Sequence, residues 1–189
     1  SGDKEKGLEQ LRSCIENGKF AKTEAKFELA NIYTYVERDY NKALPLLLDM
    51  KESFPKNPRF SFMTAIVYSK LKKWDEAKML ADEMERNVLQ SNQHFTSDWL
   101  PKIYFLRGEI DREKEEFKKA IDYYKQAKIS EKARGTWIEP WCEMRIGMIY
   151  DMTGEREMAK KSYSKALKFR EFAKEYVYLY DYAEKYLKD

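Results

Sequence analysis

Histidine is nearly absent from this chain, with His94 the only one in 189 residues. That excludes sites built on paired histidines, the Glu-x-x-His metal helix among them. His94 itself falls in a spacer between helical segments and reads as a solvent-exposed side chain, not a catalytic base. Cysteine is scarce too: Cys14 and Cys142 belong to different expected helices and form no Cys-x-x-Cys pair, so both read as inert buried thiols. No stretch reaches the ~18 consecutive apolar residues of a membrane span, and no charged-then-apolar leader is visible. A Ser1-Gly2 start reads as a cloning remnant, with the native N-terminus expected to be lacking. Gly-rich phosphate loops, a Gly-x-Ser-x-Gly elbow and acidic sets with cation-loop spacing are all missing. Glu115 and Lys119, four residues apart, fit a helix-surface ion pair. These absences leave no catalytic residue, no metal ligand and no cofactor to assign.

Glycine (7) and proline (5) are also few, while Ala, Leu, Lys, Glu and Met abound, which points to an all-helical chain. A composition 43% hydrophobic and 37% charged fits neither a membrane protein nor a disordered one. The 36 basic and 33 acidic groups interleave along helix faces instead of clustering. Such mixing marks solvated surface and argues against a nucleic-acid footprint.

Two short frames then recur. The first is a small residue followed three positions later by Tyr, as in Ala30/Tyr33, Ala65/Tyr68 and Gly147/Tyr150. The second is Ala with apolar residues at +4 and +7, at Ala43, Ala77, Ala120 and Ala159. The small residue (Ala30, Ala65, Gly108, Gly147) precedes that Ala by 13 residues in the first copy and 12 in the others. A fixed interval of this kind marks repeated helix pairs.

In chain order the reading is a half repeat over 4–18, whose Gly7, Leu11 and Cys14 repeat the second frame and whose end Gly18 would close; then pairs at about 22–57, 58–91, 96–129 and 138–169; then a capping helix over 170–187. Together they make one domain over 1–189 that starts inside a repeat. Pro45 is expected in the first turn of its helix or just inside it. Extra residues around 86–98 and 130–140 should project from one edge. In the capping helix, Phe172, Tyr176, Leu179, Ala183 and Leu187 form one stripe, and Tyr178, Tyr182 and Tyr186 a second, a possible further interface.

An aromatic opening the second helix (Tyr40, Trp74, Phe117), a closing Pro55, and the run Ile146-Gly147, Tyr150, Gly154, Ala159, Tyr163, Lys165-Ala166-Leu167 resemble the tetratricopeptide repeat family in its bacterial-type multi-repeat form. The resemblance implies a right-handed superhelical solenoid of antiparallel helix pairs, with the first helix of each pair lining a concave groove for a peptide or partner protein. Carried over position by position, the groove would take Phe27, Asn31, Arg59, Phe62, Ile66, Lys102, Phe105, Glu109, Trp141, Met144, Arg145 and Met148. A clamp for a chaperone's terminal carboxylate is disfavoured, because only Asn31 and Lys102 fit it. The expectation is a non-enzymatic protein-binding scaffold, cytoplasmic or bacterial periplasmic, with an oligomerising or structural segment of a larger protein as the alternative.

Overall fold

A computed structural model describes residues 2–17, 22–171 and 174–188, and among these every regular element is helical. Gly18 and Phe172 lie outside the described residues, as do the side chains of Cys14 and Tyr176. Ten α-helices follow one another: α1 (Gly2–Asn17), α2 (Lys22–Asn31), α3 (Tyr40–Ser53), α4 (Pro58–Lys70), α5 (Trp74–Leu89), α6 (Leu100–Glu113), α7 (Phe117–Ile129), α8 (Ile138–Met152), α9 (Arg156–Leu167) and α10 (Val177–Lys188). They fall into two compact units, residues 1–84 and 85–189, with the boundary inside α5.

In the first unit, α2 pairs with α3, and α1 and α4 pack beside them. The pair closes on small residues: Ala30 and Ala43 are fully buried, and Leu47, Met50, Met63 and Val67 fill the space around them. Asn57 caps α4 by accepting from the Arg59 amide at 3.1 Å, and Pro58 takes the first turn, where a missing amide costs least. Pro45 stands inside α3, in its second turn and on an exposed face.

The 13-residue interval of the first pair has a structural cause. Residues Ile32–Val36 form a π-turn directly after α2, so one extra residue is taken up inside the helix. The chain reversal records the same insertion. In the later pairs an amide after the turn donates to a carbonyl five residues back, as Lys73 to Tyr68 and Glu155 to Tyr150; in the first pair Asp39 donates to Tyr33, six back. Each reversal passes through one left-handed residue: Arg38, Lys72, Glu115 and Gly154.

The second unit packs α6 against α7 and α8 against α9, and α10 lies on α9. Here the crossings are tighter. A Cβ on Gly108 would sit 2.6 Å from Cε1 of Tyr124, and one on Gly147 would sit 2.6 Å from Cε1 of Tyr163. Glycine is therefore required wherever the facing residue is Tyr, whereas Ala30 and Ala65 stand in pairs carrying Leu47 and Ala81 at that place. The α10 helix begins at Val177, after a 3-10 turn over Lys174–Tyr176, later than its sequence pattern suggests. Leu179 and Ala183 seal α9 as their stripe predicts, and Tyr180, which belongs to neither predicted stripe, is fully buried with them.

Candidate functional site

The first helices carry the candidate residues, and α2 and α4 of the first unit frame a cleft of about 320 Å³. Thr23, Glu24 and Phe27 of α2 form one side, Phe54 at the end of α3 the back, and Asn57, Arg59 and Phe60 of α4 the other. Its floor is aromatic: the Phe60 ring lies 6.0 Å from both Phe27 and Phe54. The Arg59 guanidinium lies over Phe27, 4.6 Å from its centroid. Phe27, Asn31 and Phe62 are half-buried and Arg59 is exposed. Ile66 instead turns into the interior, because its neighbours Ala65 and Val67 fix that stretch of α4 in the core.

In the second unit Phe105, Glu109 and Met144 are likewise interior, although the family resemblance implies a groove position for each. Phe105 is covered by Trp137, edge-on at 5.1 Å. Glu109 is roofed by α7 and α8, accepting from the Tyr124 hydroxyl and from Arg145 Nε at 2.8 Å, and it accepts from Arg112 of its own helix at 3.3 Å. One buried carboxylate thus ties α6, α7 and α8 together, its charge met by two guanidiniums. Burial, then the Glu109 charge, pushes the Tyr124 phenol well above its ordinary range, and burial does the same to the Cys142 thiol. Lys128 of α7 pairs with buried Glu143 of α8 in the same manner.

What stays at the surface of the second unit is Lys102, over Trp99 at 4.3 Å, and a set built on α8. Arg145 lies over the Trp141 ring at 5.1 Å and donates to Met148 Sδ at 3.6 Å. Trp141 in turn meets Tyr178 of α10 edge-on at 6.1 Å. The structure thereby joins two sets that the sequence kept apart, the groove residues and the tyrosine stripe. Tyr178 and Tyr182 are 62% and 45% exposed, whereas Tyr186 turns inward, 4.6 Å from the Tyr163 ring.

Sequence spacing missed Glu24, although a signal was present. It stands six residues before Ala30, the same place that Arg59, Lys102 and Trp141 hold before Ala65, Gly108 and Gly147. Tyr124 was missed because its partner Glu109 comes from another helix, and Arg112 although its partners Glu109 and Glu113 stand on its own helix. Among the described residues no helix is long and apolar enough to cross a membrane.

The molecule is thus a helical-repeat protein, built from antiparallel pairs closed on small residues. The sequence profile described as tetratricopeptide repeat matches residues 101–128 and 144–172, so two of the helix pairs, α6/α7 and α8/α9, match that repeat. No curated protein matches the chain. Among solved structures, a crystal structure of MamA is similar at 18% identity, covering 80% of this chain and 86% of that one with a TM-score of 0.45. A second MamA crystal structure is similar at 17% identity, with 90% of each chain covered and a TM-score of 0.45.

Proposed function

We propose that the chain binds a protein partner, as an extended peptide or a helix, on the surface that its first helices present in each unit. The observation that carries this is the Trp141, Met148 and Tyr178 set. Large rings and a thioether stay partly solvated on neighbouring helices, yet are held in place by Arg145 and, behind it, by buried Glu109. Ordered aromatic surface of this kind offers contact area at little entropic cost. Arg145 orients Trp141 and remains at the rim of the set, with a side chain 19% exposed.

Affinity capture with the chain tests the reading, comparing the parent with a Trp141→Ala/Met148→Ala variant and with a Lys161→Ala control, which changes an exposed residue of α9. A captured protein lost with the double variant and kept with the control supports the surface. Retention of every captured protein by the double variant, at an unchanged melting temperature, rejects it.

A further inference from the structure

The cleft in the first unit carries its own charge pattern, and from it we infer the chemistry of the segment it takes. Resting on the peptide-binding reading above, the proposal is that this cleft receives an extended peptide in which one aromatic or long aliphatic side chain is flanked by a basic residue on one side and an acidic residue on the other.

Three observations support it. The interior of the cleft is a cluster of three phenylalanines, Phe27, Phe54 and Phe60, and Phe54 is 46% exposed although large and apolar. A space of about 320 Å³ lined this way suits one large side chain. The rim is bipolar: Glu24 on α2 and Arg59 on α4 hold equivalent places in successive repeats, and both are exposed. Glu24 has no ion-pair partner among the described residues, whereas nearby Lys26 is taken by Asp49. The Arg59 guanidinium lies over the Phe27 ring at the rim of the same cleft. An apolar side chain in the cleft, with a cation facing Glu24 and a carboxylate facing Arg59, matches every one of these groups. A peptide carrying two like charges would meet one attraction and one repulsion.

Four capped, fluorescently labelled 11-residue peptides test this, each with a central Phe and residues two positions to either side that are Lys and Glu, Lys and Lys, Glu and Glu, or Gln and Gln. The parent chain should bind the mixed-charge peptide roughly 5- to 10-fold more tightly than the others, with the preference shrinking in 1 M salt. Arg59→Glu should move the preference to the Lys/Lys peptide, and Glu24→Lys to the Glu/Glu peptide. Because both positions are exposed, melting curves should show the variants folded. Equal binding of all four, or a preference that neither substitution moves, overturns the charge assignment. Loss of that equal binding in Phe27→Ala would then show that the cleft still binds peptide. If none of the four binds, the proposal falls, while the capture experiment on Trp141 and Met148 judges the wider reading independently.

Discussion

The two units solve one problem differently. Both contain buried polar side chains, but in the first unit the hydroxyls of Thr34, Thr64 and Ser69 are satisfied along their own stretch of chain, each donating to a carbonyl three or four residues earlier at 2.7 Å. In the second unit the buried carboxylates reach between helices, Glu109 to Arg145 and Tyr124 and Glu143 to Lys128, with Arg112 of its own helix completing the Glu109 set. Their crossings differ in parallel. The small residue of the frame is Ala in the first unit, in repeats carrying Leu47 or Ala81 at the place where the second unit sets Tyr against Gly. The lesson is that a helix pair can be held by general apolar fit or by a few mutually dependent partners. The second route fixes the register of three helices at once and makes each partner harder to replace. Both segments matched by the family profile lie in that second unit.

Breaking the dependence should produce the largest effect. Glu109→Ala leaves Arg112 and Arg145 without their buried partner and should cost about 3–5 kcal/mol. Thr64→Val in the first unit removes a local bond and should cost about 1 kcal/mol. Urea denaturation at neutral pH compares the two, and similar losses would erase the contrast between the units.

Next in size is the crossing. Gly147→Ala drives a Cβ into Tyr163 and should lose about 1–3 kcal/mol, part of which Tyr163→Leu in the same chain should restore. If the two changes simply add, Gly and Tyr are not a matched pair.

The smallest effect sharpens the electrostatic side. Since the folded Tyr124 phenol titrates well above 10, its contribution is fully present below the unfolded value near 10 and is lost as pH rises above it. Tyr124 should contribute a fall of about 1.4 kcal/mol per pH unit there, beside those of Cys142 and Tyr163, and Tyr124→Phe should make the slope shallower by about that amount. An unchanged slope would place the alkaline sensitivity elsewhere.

Much of this was legible in the chain. The second frame falls in α3, α5, α7 and α9, and the coincidence of Gly108 with Tyr124 and Gly147 with Tyr163, each 16 residues apart, announces the tight crossings. The candidate surface was less so. The family resemblance assigns Glu109 and Phe105 to the groove face, but whether a residue there meets solvent depends on the next helix, and Arg145 and Trp137 cover these two. Tyr178 could not be joined to Trp141 from spacing, because the link from α9 to α10 follows neither frame.

The π-turn at Ile32–Val36 bears on how much change in length a packed pair absorbs. Insertions are ordinarily inherited in loops, where they lengthen a connection and leave the packed elements untouched. Here a single added residue is stored within a packed helix and stays visible as a bond spanning six residues where its sister repeats span five. The first pair therefore shows a tolerance for length: it holds one residue more than its sisters, yet Ala30 and Ala43 both keep no exposed surface in one core.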